Sequence, residues 1–159
     1  MSLRIYSAIL LFASLFTACE NGLECFSDKR EIISKTLPAE YYKNFHFTDV
    51  FDVKVFQDSA RKITISGPES IVSKIYIDRQ NSFSEIGIKD PCNFLKDQRQ
   101  KVNINLYVPE IDTLEFFGQT HLEIPEAFES NRLVLHFWGK IGSCQVAAKT
   151  DKIFFHSIS

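Results

Sequence analysis

A chain of 159 residues has the length of one domain, and a hydrophobic content of 45% is enough for a packed core, so a second domain is not expected. The net charge of -2 at pH 7, with no local run of basic residues, excludes the electrostatic footprint of a nucleic-acid partner. Phe occurs 15 times against one Met, much of it alternating with Ile and Val, a composition that suits strands better than helices.

Residues 1–18 read as a secretion signal. Arg4 gives a positive start, Ile5 to Phe16 is apolar and uncharged, and Thr17 and Ala18 are small. The apolar run is too short to span a bilayer comfortably. Leu15-Phe16-Thr17-Ala18-Cys19 resembles a bacterial lipobox, in which Cys19 becomes the lipidated first residue of the mature chain; the competing reading is an ordinary signal peptide cut near Ala18. Lipid on Cys19 makes the membrane the first partner, since each buried CH₂ contributes about 0.8 kcal/mol. Glu20 after the Cys resembles lipoproteins forwarded to the outer membrane. Cys25, Cys92 and Cys144 remain in an oxidising compartment. A Cys25–Cys92 bridge would clip the N-terminal arm to the body and stabilise the fold by roughly 4 kcal/mol. Cys144 sits in a strand-like run and reads as a small core residue.

Residues 19–40 are polar and mixed in charge, a tether with one short strand at Arg30 to Ser34; the folded domain is residues 41–159. Val53 onwards alternates, as does Lys62 to Gly67, and the five residues between them suit a hairpin. Ser70 to Lys74 fits one helical turn. Ile75 to Asp78 and Phe83 to Ile88 read as a second hairpin. Val102, Ile104, Leu106 and Val108 define the clearest strand, ended by Pro109.

From Ile111 onwards one pattern recurs. Leu114-Glu115-Phe116-Phe117-Gly118 is echoed by Leu135-His136-Phe137-Trp138-Gly139 and by Phe155-His156-Ser157-Ile158-Ser159, with spacings of 21 (114 to 135) and 20 (135 to 155) residues. A period near 20 with inner alternation is what a coiled stack of strands needs, because each turn hides its inward side chains against the turn before it. An antiparallel meander would also space strands evenly. Leu114, Phe116, Leu133, Leu135, Phe137, Ile153 and Phe155 are expected inward, with loops at Pro125 to Asn131 and Lys149 to Lys152.

These elements together resemble the head GIN domain, also called DUF2807, of auto-transporter adhesins that are common as lipoproteins in Bacteroidetes. The likeness is carried by Phe51, Val53 and Val55, by Ile63, Ile65 and Gly67, by Cys92-Asn93-Phe94, and by Val102 to Pro109 with Leu114 and Gly118. It covers the chain from about Phe47 to the end. What it implies is an all-β, right-handed parallel β-helix-like stack exported to the cell envelope, with no established chemistry. The family's Gly-Ser-Gly turns are replaced here by Gly118-Gln119-Thr120 and Gly139-Lys140-Ile141-Gly142. The sequence also stops in mid-repeat where the family adds rungs, so either the copy is truncated or it closes its end by self-association.

No catalytic residue is expected. Asp112, Glu115 and Glu123 are dispersed, whereas polysaccharide-cleaving coils cluster their charges on one face. Ser143 and Ser157 lack a nucleophile-elbow context. His136 and His156, with Glu115 one rung earlier, would form an outward column, but His46 and His121 add no Cys or second carboxylate at ligand spacing, so neither metal nor cofactor is expected. If Phe116 and Phe137 point inward, Phe117 and Trp138 point outward on successive rungs. They either pack beneath the N-terminal strands or form a strip that stacks on sugar rings or accepts a protein partner. The expectation is a non-enzymatic envelope protein for adhesion or for glycan or protein binding; the alternatives are a polysaccharide hydrolase or lyase and a self-associating structural component.

Overall fold

The computed structural model describes residues 31–40, 42–89, 101–139 and 141–158. The signal segment, Cys19, Cys25 and Cys92 lie outside them. The elements are β1 (Ile32–Pro38), β2 (Asn44–Phe47), β3 (Asp52–Gln57), β4 (Lys62–Pro68), the short helix α1 (Glu69–Val72), β5 (Ile75–Gln80), β6 (Phe83–Ile88), β7 (Asn103–Val108), β8 (Thr113–Phe116), β9 (Thr120–Phe137) and β10 (Ile141–Ser157). They form one curled open sheet in the order β1-β4-β7-β3-β9-β8-β2-β6-β5, with β10 added to β9. The protein is nearly all β, as its composition leads one to expect.

Half of this sheet is a stack of parallel strands. β8 lies on β2, the second half of β9 lies on β8, and the second half of β10 lies on β9, so that Phe45, Leu114, Leu135 and Phe155 stand in one column. On the neighbouring arm β9 lies on β3 and β10 on β9, which aligns Val53, Leu122 and Cys144. The sequence period is therefore the rung period. Inside the stack Phe47, Phe116 and Phe137 are face to face, with centroids 5.0 Å apart at each step, and the ring of Phe155, from the adjoining column over Leu135, lies tilted at 5.3 Å from Phe137. Phe47, Phe116 and Phe137 are buried and Phe155 is not, because among the described residues nothing lies on the far side of β10. Fully burying a side chain of this size contributes about 1.5–3 kcal/mol, so this column is a main source of stability.

Antiparallel strands complete the sheet. β5 and β6 form the expected hairpin, closed by Asn81 with φ 56°, a left-handed conformation that Asn tolerates. β3 and β4 do not form a hairpin: β7 lies between them, parallel to β3 and antiparallel to β4. A five-residue connection permitted a hairpin without requiring one, and β7, with Val102, Ile104, Leu106 and Val108 all buried, supplies a better apolar partner to both. The short strand expected near residue 30 is β1, which runs through Pro38 along the antiparallel edge of β4. Pro is tolerated there because the outer side of an edge strand needs no N–H donor.

The expected loops at Pro125 to Asn131 and Lys149 to Lys152 are instead bends within β9 and β10. Pairing continues through them at Ala148–Phe128, Lys149–Glu129 and Thr150–Ser130. Two observations explain why a polar stretch stays in the sheet: Phe128 is buried, and Gln57 of β3 bridges to it, accepting from the Glu129 N–H at 2.9 Å and donating to the Glu129 carbonyl at 3.0 Å. No helix among the described residues is long and apolar enough to cross a membrane.

Candidate binding surface

In a strand whose odd-spaced side chains are buried, the even-spaced ones face out. Stacked parallel strands therefore carry an outer column for every inner one. Next to the inner phenylalanines, His46, Glu115, His136 and His156 occupy one row across β2, β8, β9 and β10. The His136 and His156 rings are 5.5 Å apart, on adjacent rungs as the repeat requires. No group of three or more His, Cys, Asp or Glu side chains among the described residues could hold a metal ion.

Just beyond this row, where each strand turns its corner, Phe117 and Trp138 lie stacked with centroids 5.9 Å apart and planes at 19°. Backbone bonds fix them: the Phe117 N–H donates to the Phe47 carbonyl, that of Trp138 to the Phe116 carbonyl and that of Ile158 to the Phe137 carbonyl. The two rings are 44% and 41% exposed, so they do not pack beneath the N-terminal strands. Their neighbours extend the strip. His46 lies 4.3 Å from Phe117, Phe83 lies 6.4 Å from His46, and His136 and His156 lie 5.8 and 6.0 Å from Trp138. The rings thus cross five neighbouring strands, β6, β2, β8, β9 and β10, spaced roughly 4.8 Å apart.

Polar groups border the strip. His46 Nδ1 is 4.0 Å from Glu85 Oε2, and Tyr76 Oη donates to Glu85 Oε1 at 2.7 Å. Burial, and then that bond to a carboxylate, push the Tyr76 phenol above its ordinary value and keep it a donor. An amphipathic strip of this kind offers aromatic faces for apolar contact, with carboxylates and imidazoles at hydrogen-bonding reach of its edge. Phe117 and Trp138 were legible in the sequence; His46 and Phe83 were not, although Phe45-His46-Phe47 repeats the Leu135-His136-Phe137 pattern and could have signalled an earlier rung.

The remaining candidates are placed less productively for chemistry. Glu123 is ion-paired to Lys54 at 2.6 Å on the β3 arm, away from Glu115, and Asp112 is exposed ahead of β8. His121 Nδ1 and Ser143 Oγ are 2.8 Å apart, and Asp52 is the next residue along their row. Asp52, however, is engaged by Lys101 at 3.4 Å, leaving the pair without the acid that would orient an imidazole as a base. Cys144 is a free thiol packed partly against the core, and burial pushes it above its ordinary value, as suits a small apolar residue rather than a nucleophile.

No family model matches the sequence, and neither does any curated protein. Solved structures do share the fold. A candidate adhesin from Bacteroides fragilis superposes with a TM-score of 0.68 at 15% identity, over 83% of this chain and 61% of its own. A candidate lipid-binding protein from Parabacteroides distasonis gives 0.61 at 12% identity, over 76% and 51%. A candidate adhesin from Parabacteroides merdae gives 0.57 at 12% identity, over 80% and 52%. At these identities the likeness is one of fold, and the chain spans about half to three fifths of the length of these proteins.

Proposed function

We propose that the chain is a lipid-anchored envelope protein of the head GIN type, a right-handed parallel β-helix-like coil that binds a glycan or a protein surface through its outer aromatic strip and catalyses no reaction. The observation that carries this reading is the stacked, exposed Phe117–Trp138 pair, extended by His46 and Phe83. Large aromatic side chains left in water by a sheet that buries Phe47, Phe116 and Phe137 on its inner face serve contact with a partner. The flat face of a sugar ring is the partner best matched to a strip of parallel rings bordered by carboxylates. The fold shared with candidate adhesins agrees with such a role but does not carry it.

A panel of neutral and acidic polysaccharides, scored for both binding and cleavage, tests the proposal. Wild-type chain is expected to bind at least one without cleaving it, and Trp138→Ala to bind it about tenfold more weakly, since a stacked ring contributes on the order of 1–1.5 kcal/mol. Its melting temperature should change little. Unchanged affinity in that variant, or release of products, would refute the reading. The anchor is Cys19, and a Cys25–Cys92 bridge ties the arm to the body. Cys19→Ser should move the protein from the membrane fraction to the soluble fraction; membrane retention would contradict lipidation at that residue.

A further inference from the structure

We propose that the ligand of the aromatic strip is a polysaccharide of amino sugars whose amines are free, with a sugar ring on Phe117 or Trp138 and its amine on Glu115; this rests on the strip being the binding surface. The strand registers set outward side chains of six strands in one row, Asp78, Glu85, His46, Glu115, His136 and His156, running from β5 through β6, β2, β8 and β9 to β10. Phe83 stands on one side of this row, and Phe117 and Trp138 on the other. Three members of the row are carboxylates and none is Lys or Arg. Asp78 is paired with Lys89 at 3.4 Å, and Glu85 accepts from Tyr76 Oη at 2.7 Å with His46 beside it. Glu115, partly buried between His46 and His136, has no hydrogen bond or ion pair with any described residue.

Charge complementarity then selects the ligand. An acidic polysaccharide would bring its anions against a row that has no cation to meet them, and a neutral one would leave the Glu115 charge uncompensated. A cation is drawn both by the carboxylate and by the faces of the neighbouring rings. Two residues of extended chain span about 6.6 Å, so a sugar lying on Phe117 reaches Glu115 with a group carried directly on its ring. A free amine is such a group, and a carboxylate beside it holds it in its cationic form. The lysine of a partner protein brings the same charge on a flexible four-carbon stem, with no ring to lie on the strip.

The test titrates the full chain carrying Cys19→Ser, by calorimetry, with short oligosaccharides of glucosamine, with those of N-acetylglucosamine, and with polylysine. The glucosamine oligosaccharide is expected to bind at least about tenfold more tightly than its acetylated counterpart, and Glu115→Gln to weaken it about tenfold, the scale of one hydrogen bond between charged groups. Glu126→Gln removes the same charge from the exposed bend of β9 and should leave the affinity unchanged. Equal or tighter binding of the acetylated oligosaccharide, no binding of either, or glucosamine binding indifferent to Glu115→Gln overturns the proposal. Trp138→Ala tells that failure from failure of the reading beneath it: if it weakens whichever oligosaccharide binds, the strip remains a glycan site without a preference for amines. Glucosamine binding that Trp138→Ala leaves intact overturns both. Polylysine bound in preference to either sugar, and released by Glu115→Gln, assigns the row to a basic protein and overturns the amino sugar.

Discussion

Phe116→Ala is expected to destabilise the fold by about 3–5 kcal/mol, a large part of the total stability of a domain this size. Phe116 is fully buried, between Phe47 and Phe137 at 5.0 Å on either side, and its backbone is paired to β2 and β9. Removing the ring leaves a cavity whose walls are themselves stacked phenylalanines held by sheet registers on both sides, so they have little freedom to close in. Phe155→Ala is the control at an exposed position. Phe155 stands opposite Leu135 on the last described rung, with a tilted contact to Phe137 and 55% of its surface exposed, and its loss should cost about 1 kcal/mol. Urea unfolding of the two variants measures both. Equal losses would mean that the column is not stacked as described.

Gly118→Ala is also expected to destabilise the fold. No glycine among the described residues has a positive φ, so Ala is compatible with the backbone here, and on chain entropy alone it would stabilise by about 0.4–1 kcal/mol. Sterics reverse the sign. A Cβ on Gly118 would lie 2.7 Å from the carbonyl carbon and oxygen of Asp49, the corner of the rung beneath. Backbone cannot step aside as a flexible side chain can, and overpacking of this kind costs typically 1–3 kcal/mol. The net effect expected is a loss of roughly 1–2 kcal/mol. At Gly139 the same Cβ would sit 3.1 Å from the Phe117 carbonyl oxygen, a milder approach, so Gly139→Ala should lose less. Denaturant midpoints that rank the two in the opposite order would contradict the stacking of the corners.

The two glycines also show why the strand pairing of the last third of the chain could be read from its residues and that of the first half only in part. Leu114, Leu135 and Phe155 recur one rung apart because consecutive rungs are consecutive in sequence there, and the corner glycines mark the same interval. The rung beneath them, Phe45 to Phe47, comes much earlier in the chain; the strands from β3 to β7 intervene, so no local period links it to Leu114. The same separation hid the place of β7, which inserts between β3 and β4 and displaces the hairpin that their short connection suggested. Pro125 to Asn131 misled for another reason. Its Pro, Glu, Ser and Asn are the residues of a loop, while the single buried Phe128 and the bridging Gln57 keep it paired. At the surface, alternation indicated that Phe117 and Trp138 share a direction, but whether anything covered them depended on the placement of the N-terminal strands, and with it the extension of the strip to His46 and Phe83.

Trp138 is the sole tryptophan of the chain, so its emission reports on the strip and nothing else. Titration of the wild-type protein with whichever polysaccharide binds most tightly by calorimetry, following emission and acrylamide quenching together, tests the binding role most directly. The strip as binding surface predicts emission that starts water-exposed, shifts to the blue and becomes shielded from acrylamide, with the same midpoint as the heat of binding. Heat of binding with emission and quenching unchanged would place the ligand elsewhere on the protein and contradict the account.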